Sequence, residues 1–293
     1  MLTYAQSIIM GLLQGITELF PISSLGHSVL LPTVVGWNNL VKAQTDQESF
    51  FLSFLVGLHL ATAIALLIFY RREWARIVAG FGSSLKKRRA TTPNERLAWL
   101  LMVATIPIAL AGLAFEHSFR VIFAKPLFAA IFLAVNGLLL LAVERFIRRR
   151  PAKPAAESLV ATEQNLSSLT YRDAGIVGIF QIGALFAGIS RSGVTLAAGL
   201  WRGLNHQDAA RFSFLLATPI VLLAGLYKLP DLLGHNGNGV RGPVLVGSLA
   251  AGIAAYGSVR FLDKHFRTKK TTPFGWYCLL LGLAMTIKLL VFP

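Results

Sequence analysis

The sequence predicts an all-α polytopic membrane protein, built as an inverted-topology repeat. Six transmembrane helices and two re-entrant helical hairpins that meet near the bilayer midplane are expected. Three observations lead to this fold class. The 293 residues are 55% hydrophobic and only 14% charged, whereas soluble domains contain about 25% charged residues. Two long apolar stretches each contain a single charged residue, and the two halves of the chain resemble one another.

Six apolar stretches are candidates for membrane spans, since a spanning helix needs about 20 apolar residues. They do not alternate between apolar and polar positions, so helices are expected rather than the strands of a membrane barrel. The predicted spans are Phe50–Tyr70, Leu97–Phe115, Pro126–Val143, Phe212–Tyr227, Gly242–Val259 and Pro273–Phe292.

The net charge of +15 is concentrated in a few loops. Of the 28 Lys and Arg residues, eight lie in residues 71–96, six in residues 145–172 and five in residues 260–270. The positive-inside rule places these three basic loops in the cytoplasm. The same distribution argues against nucleic acid as a partner and favours contact with the headgroups of membrane lipids.

The chain repeats itself at an offset of 167 residues, with seven identities in the 24 positions from Tyr4 to His27. The identical pairs are Tyr4 and Tyr171, Ile9 and Ile176, Gly11 and Gly178, Gln14 and Gln181, Ile22 and Ile189, Ser23 and Ser190, and Gly26 and Gly193. The single integral-membrane domain (residues 1–293) is therefore divided into repeat 1 (residues 1–146), a polar cytoplasmic linker (residues 147–168) and repeat 2 (residues 169–293). Each repeat carries three spans, an odd number, so the second must enter the membrane from the opposite side.

Each repeat begins with one of the two charge-poor stretches, and each stretch is expected to form a re-entrant hairpin. The hairpins comprise residues 1–35 and 173–201. Helix breaks are expected at residues 20–23 and 187–190, where proline or glycine interrupts the apolar run. Irregular backbone is tolerated at bilayer depth only when it is buried in protein or faces water. The tips of the two hairpins are therefore expected to meet.

The tips are expected to bind a phosphate or a diphosphate. Glu18 is the only charged residue in residues 1–35, and Arg191 is the only one between Asp173 and Arg202. An ionised side chain at bilayer depth indicates a functional site. Ser23 and Ser190 lie at helix N-cap positions, and two converging helix N-termini form an anion site. The guanidinium fork adds further donors for phosphate. The expected substrate-binding residues are Gln14, Ser23, Gly26, Ser190, Ser192, Gly193 and Thr195. Packing of small residues between helices is the alternative explanation.

The candidate catalytic residues are Glu18, Ser24, His27 and Arg191. Glu18 is suited to act as a general base or to hold a divalent cation, and a structural ion pair with Arg191 is the alternative. Ser24 is the favoured nucleophile, activated by Glu18. His27 fits a proton donor, a nucleophile, an orienting group or a hydrogen-bonded core histidine. Two other polar residues of the apolar runs are expected to pack in the core: His59 and Asn136.

At these residues the chain resembles the undecaprenyl-diphosphate phosphatase family, also known for bacitracin resistance. The resemblance runs almost end to end and is carried by three motifs: Gln14-xxx-Glu18 with Pro21–His27, Gly188–Thr195 and Phe212–Pro219. It implies hydrolysis of a long polyprenyl diphosphate to the monophosphate in the bacterial cytoplasmic membrane, at a site open to the outer side. It also implies assistance by a divalent cation (Mg²⁺ or Ca²⁺) and return of the lipid to peptidoglycan synthesis. The oligomeric state is left open, and a homo-oligomer is one expectation.

The resemblance assigns catalytic roles to the four candidate residues and places Gln14 at the first position of a Glu/Gln-xxx-Glu motif. Three positions depart from the family pattern. Leu25 stands where threonine is usual, and Ala187 where proline is usual. Gln14 stands where glutamate is frequent, which removes one metal-binding charge.

Two other functions fit parts of the pattern. A transporter of a phosphorylated polyprenyl lipid would use the same inverted repeat and midplane site, but transport requires no nucleophile. A lipid phosphatase of the type 2 phosphatidic acid phosphatase kind shares a Ser-x-Gly-His sequence with Ser24–His27. It needs a second histidine soon after its arginine, and here His206 lies beyond the apolar stretch that follows Arg191.

Overall fold

The computed structural model describes residues 2–45, 50–123, 125–149, 166–234 and 239–291. The regular structure in these ranges is helical, which confirms the predicted all-α architecture. Residues 150–165, most of the predicted linker, lie outside the described ranges. The helices are α1 (Tyr4–Thr17), α2 (Ser24–Val34), α3 (Asn38–Thr45), α4 (Phe50–Phe69), α5 (Arg71–Lys87), α6 (Pro93–Phe123), α7 (Pro126–Arg148), α8 (Tyr171–Ile182), α9 (Arg191–Trp201), α10 (His206–Leu233), α11 (Arg241–His265) and α12 (Thr272–Val291), with 3₁₀ turns at Leu166–Ser168 and Gly183–Leu185.

Five helices of the described ranges are long and apolar enough to cross a membrane. They are α7, α11, α12, residues 93–115 of α6 and residues 206–227 of α10. A sixth span results if α4 and α5, which are bent by 87° relative to each other, are counted as one broken span. The protein is thus a multi-span helical membrane protein, and each predicted span overlaps an observed helix.

The first basic loop contains a helix that the charge distribution did not predict. Helix α5 exposes its basic residues and turns Ile77, Phe81 and Ser84 inward. The Phe81 ring lies 5.2 Å from that of Trp99 on α6, and the Trp99 indole donates to the Ser84 hydroxyl at 2.9 Å. A narrow apolar stripe under many charges is typical of a helix that lies in a membrane interface.

The two charge-poor stretches start and continue in the same way. α1 and α8 each follow a threonine capping box, Thr3 with Gln6 and Thr170 with Asp173, in which two backbone donors are satisfied reciprocally. α2 and α9 begin and end at positions that are 167 residues apart. The sequence offset is therefore reproduced in the local structure.

Small residues let the first helix of each stretch lie close against a membrane-spanning helix. A Cβ atom at Gly11 of α1 would lie 2.1 Å from the Gly247 carbonyl oxygen of α11. A Cβ atom at Gly178 of α8 would lie 2.7 Å from the Ala104 carbonyl oxygen of α6. Such close backbone contact is characteristic of helix pairs in membranes.

We expect Gly11→Ala to lower the melting temperature of the protein in detergent by several degrees. The added methyl group has no room, and overpacking of this kind costs about 1–3 kcal/mol. Gly257→Ala on α11 is the matched control, because a Cβ atom there meets open space and alanine favours a helix by up to about 1 kcal/mol. Equal melting temperatures for the two variants would contradict the close contact.

Candidate active site

Two helix N-termini lie at the tips of the broken stretches, as the sequence predicted. The Ser23 hydroxyl accepts a hydrogen bond from the Gly26 amide at 3.2 Å and caps α2. The Ser190 hydroxyl accepts from the Gly193 amide at 3.1 Å and caps α9. α1 ends at Thr17 and α8 already at Ile182, so both breaks begin earlier than predicted. The early ends leave room for Glu18 and for a 3₁₀ turn before the caps.

Glycines bring the two tips into contact. Gly188 has a φ of +105°, a conformation that glycine adopts without steric cost. A Cβ atom at Gly26 would lie 2.9 Å from the Gly188 Cα atom. A Cβ atom at Gly193 would lie 3.0 Å from the Asn136 side-chain oxygen. Gly26 and Gly193, expected to contact substrate, thus occupy positions where only a hydrogen atom fits beside the opposite tip or α7.

Glu18 is the centre of the contacts between the tips. Its Oε1 accepts a hydrogen bond from the Arg191 Nη2 at 2.5 Å. Its Oε2 accepts from the Ser24 hydroxyl at 2.5 Å and from the Gln14 amide at 3.1 Å. The side chains of Glu18 and Arg191 are only 6% and 12% exposed. The acid, hydroxyl and guanidinium that the sequence singled out are therefore brought together in one buried cluster.

Two polar atoms of this cluster have no hydrogen-bond partner among the described residues. They are the Arg191 Nη1 and the Gln14 Oε1, and both are buried. Buried polar atoms are rarely left unpaired. The cluster thus retains one strong donor and one acceptor for a ligand.

A cavity of about 350 Å³ opens beside the cluster. Its polar end is lined by Glu18, Ser23, Ser24, His59, Ser190 and Arg191. Its remaining wall is apolar and comprises Leu25, Leu55, Val56, Ile108, Ala184, Leu185, Ile189, Ile220, Val221, Ala224 and Gly225. A larger groove of about 700 Å³ lies between α4 and α11 and is almost entirely apolar. The smaller cavity fits a ligand with an anionic head and an apolar tail.

His59, which was expected to pack in the core, lines this cavity instead. Its Nε2 atom lies 3.5 Å from Glu18 Oε2. Its Nδ1–H donates to the Leu55 carbonyl at 2.8 Å within α4. The sequence signal that could have revealed it is the histidine itself, in an otherwise apolar span where ionisable residues are usually functional.

His27 lies in the same helix as Ser24, but its ring makes its contacts elsewhere. Its Nδ1–H donates to the Ser23 carbonyl at 2.7 Å, and its Nε2 accepts from the Tyr277 hydroxyl at 2.9 Å. The two rings are stacked with centroids 5.7 Å apart. Both nitrogens are thus engaged between the tip loop and α12.

Ser192 and Thr195 hold the tips in place. The Ser192 hydroxyl lies 3.0 Å from the Ser190 hydroxyl and donates to the Phe20 carbonyl at 3.2 Å. The Thr195 hydroxyl donates to the Arg191 carbonyl at 2.8 Å and lies 2.5 Å from the Ser213 hydroxyl. Among the residues that the structure describes, neither belongs to the cavity wall.

Asn136 of α7 joins the two tips, a role that the expectation of core packing missed. Its side-chain nitrogen donates to the Pro21 carbonyl at 2.9 Å. Its side-chain oxygen accepts from the Ser190 amide at 3.0 Å. The residue is fully buried, so one amide satisfies backbone groups of both breaks.

We expect Asn136→Ala to destabilise the protein by about 1–3 kcal/mol or more, because it leaves the buried Ser190 amide unpaired and the Pro21 carbonyl with only the weak Cys278 thiol donor at 3.8 Å. Thermal unfolding in detergent measures the effect. Gln207→Ala removes an exposed amide at the start of α10 and should stay within about 0.5 kcal/mol of the wild type. If both variants unfold like the wild type, Asn136 does not hold the tips.

The family model described as bacitracin resistance protein BacA matches residues 7–284. The chain is 49% identical to "Undecaprenyl-diphosphatase 2" of Frankia alni, covering 98% of each chain. It is 51% identical to "Undecaprenyl-diphosphatase" of Mycolicibacterium paratuberculosis, again covering 98% of each, and 42% identical to that of Gluconacetobacter diazotrophicus, covering 96% and 95%. With a family model across most of its length and relatives this similar, the chain belongs to the bacitracin resistance protein BacA family.

Proposed function

We propose that the chain is an integral-membrane phosphatase that hydrolyses undecaprenyl (polyprenyl) diphosphate to the monophosphate and phosphate. This reaction recycles the lipid carrier for peptidoglycan synthesis in the bacterial inner membrane. The observation that carries the proposal is the convergence of Glu18, Ser24 and Arg191 at one end of an apolar cavity. Relatives named undecaprenyl-diphosphatase, matched over 98% of both chains, support the same activity.

In the proposed mechanism the Ser24 hydroxyl attacks the terminal phosphorus. Glu18 Oε2 already accepts the hydrogen bond of this hydroxyl, so it is placed to take the proton as the Oγ–P bond forms. The bond between the phosphorus and the bridging oxygen breaks, and the polyprenyl monophosphate leaves with the electron pair. Water then hydrolyses the phosphoserine, releasing phosphate and restoring Ser24.

His27 is proposed as an orienting residue, and Ser24 is preferred to it as the nucleophile. The His27 ring holds the Ser23 carbonyl on one side and Tyr277 on the other. Attack by His27 would require it to give up one of these contacts. Ser24 needs no such change, because its hydroxyl already faces the base.

Arg191 is proposed to stabilise charge on the phosphoryl oxygens together with backbone amides at the starts of α2 and α9. The unpartnered Nη1 atom supports this role, and donors prearranged in a water-poor site stabilise a transition state strongly. Ser23 and Ser190 line the cavity and can contact the phosphate. Five further residues would act indirectly, by holding these donors in place: Gln14, Gly26, Ser192, Gly193 and Thr195.

The apolar wall of the cavity is proposed to hold the first part of the prenyl chain. It is formed by Leu25 of α2 and by residues of α4, α6, α10 and the segment before α9, all of them apolar. An undecaprenyl tail is longer than the cavity, so the rest of the tail would lie in the surrounding bilayer.

We propose that residues 1–35 and 173–201 form re-entrant hairpins within inverted repeats of residues 1–146 and 169–293. Three observations support this arrangement. The capping boxes before α1 and α8 match, and α2 and α9 begin and end 167 residues apart. In addition, α1 packs on α11 of the second half, and α8 packs on α6 of the first half. The three basic loops would be cytoplasmic, both termini would lie outside, and the site would open towards the periplasm.

A divalent cation, Mg²⁺ or Ca²⁺, is proposed to bind mainly with the substrate. The described residues contain no group of three or more His, Cys, Asp or Glu side chains that could hold a metal. The unpaired Gln14 Oε1 and the Glu18 carboxylate fit an oxygen-binding cation, and Mg²⁺ commonly uses one carboxylate plus substrate phosphates. When bound, the cation would neutralise charge on the diphosphate.

Phosphate release from a polyprenyl diphosphate by the purified protein in detergent tests the proposed function. We expect Glu18→Gln and Arg191→Ala to lower kcat by about 100-fold or more, as loss of a catalytic base or charge stabiliser typically does. Arg267→Ala is the control, because it removes an exposed pair with Asp263 and should leave kcat unchanged. Absence of release by the wild type, together with movement of the lipid across vesicles, would indicate a transporter instead.

Removal of divalent cations by a chelator should lower the rate of phosphate release by about tenfold or more, with recovery on adding Mg²⁺ or Ca²⁺. Gln14→Glu adds a carboxylate beside Glu18 and should lower the cation concentration needed for half-maximal rate, whereas Gln14→Leu should raise it. A rate that is insensitive to chelation would remove the cation from the proposal.

A further inference from the structure

The apolar groove between α4 and α11 takes no part in the mechanism proposed above. Its volume of about 700 Å³ is twice that of the cavity beside the reactive cluster. The described lining is apolar except for Arg241, Ser248 and Tyr256. A neutral hydrocarbon chain suits such a lining, because a polar ligand would lose its hydrogen bonds there.

The shape of the groove suits an extended chain. Small residues such as Gly57 and Ala61 line it on α4, and a Cβ atom at Gly252 of α11 would lie 3.6 Å from the Ala61 carbonyl oxygen. Larger side chains flank them, with Ile64 46% and Leu249 61% exposed. On both helices the lining residues recur three and four positions apart, so each helix turns one face to the groove. The groove therefore runs along the two helices.

The groove adjoins the smaller cavity. Val56 of α4 lines the cavity, and Gly57, the next residue, lines the groove. A Cβ atom at Gly225 of α10, part of the cavity wall, would lie 3.3 Å from Leu60 Cδ1, part of the groove wall. The two spaces thus meet at the crossing of α4 and α10, where a chain that leaves the cavity reaches the groove.

The substrate's own tail is the occupant that these observations favour. An undecaprenyl tail is longer than the cavity, and the groove opens towards the bilayer in which the rest of the tail lies. Because the headgroup is already held at the tips, the emerging tail meets the groove at a high effective concentration. The acyl chains of bilayer lipids have no such tether.

We propose that the groove between α4 and α11 binds the part of the prenyl tail that extends beyond the cavity, and that it makes the enzyme selective for long tails. The inference rests on the proposed phosphatase function. No bond forms or breaks in the groove, so its contribution is to substrate binding. Since lipid chains are as apolar as the groove wall, this contribution comes from close packing and the selectivity is modest.

Filling the groove tests the proposal. Gly252→Leu adds a side chain at a lining position. We expect it to lower kcat/KM for undecaprenyl diphosphate by about 3–10-fold, chiefly through KM, because the tail loses its packing. The value for farnesyl diphosphate, whose short tail ends within the cavity, should stay within about twofold of the wild type.

Gly257→Leu is the matched control. It adds the same side chain to the same helix at a position where a Cβ atom meets open space, and it should leave both values of kcat/KM unchanged. A Gly252→Leu enzyme with the wild-type ratio of the two values would overturn the proposal and would indicate that ordinary bilayer lipid fills the groove. If Gly252→Leu fails to fold, Ser248→Leu fills a second lining position and is measured in the same way. A wild type that releases phosphate from neither substrate would end the phosphatase function itself.

Photo-crosslinking gives a second readout on the wild type that does not depend on catalysis. The probe is a polyprenyl diphosphate with a photoreactive group near the end of its tail. We expect crosslinks to groove residues such as Ile64 and Leu249, and excess undecaprenyl diphosphate should suppress them. Crosslinks spread equally over other exposed apolar residues, such as Leu138 of α7 and Leu280 of α12, would overturn the proposal.

Discussion

The contact between Glu18 and Arg191 is the interaction on which the rest of the structure depends. An ionised side chain in the interior of a membrane protein costs several kcal/mol unless it is paired and hydrogen-bonded. Here the guanidinium offsets the carboxylate charge, and Ser24 and Gln14 supply the remaining donors. Without the other, either charge would be buried and uncompensated. The breaks, the capping serines and the glycines at the tips therefore all have to place two distant parts of the chain within hydrogen-bonding distance.

The two tips are built from matching helices and caps but carry different side chains. Ser24 and Arg191 occupy equivalent positions 167 residues apart, each directly after a capping serine. One copy thus contributes a hydroxyl where the other contributes a guanidinium. The counterpart of Glu18 is Leu185, which lines the apolar wall of the cavity. An identical pair of tips would hold two hydroxyls or two cations, and neither set would supply the base, the nucleophile and the cation of the proposed mechanism.

The sequence predicted those features whose signal is local. A lone charge in an apolar run identified Glu18 and Arg191, and the serines at the expected helix breaks identified both helix caps. Asn136 and His59 escaped because their partners lie 115 residues away, at Pro21, and 41 residues away, at Glu18. The sequence around a single polar residue in an apolar helix does not reveal whether the residue packs in the core or contacts one of the tips, since tertiary packing decides which face of the helix turns inward. Helix α5 was not predicted, because its charged residues outnumber the apolar residues that face inward.

In the proposed mechanism, Arg191 links substrate binding to activation of the base. Its Nη2 is bonded to Glu18, while its Nη1 has no partner among the described residues, so a phosphate oxygen can bind without first breaking the ion pair. In a low-dielectric site, the negative charge of that phosphate would weaken the stabilisation that the guanidinium gives to Glu18. The carboxylate would then accept the Ser24 proton more readily with substrate bound than in the empty site, so the hydroxyl would be activated when it has a phosphorus to attack.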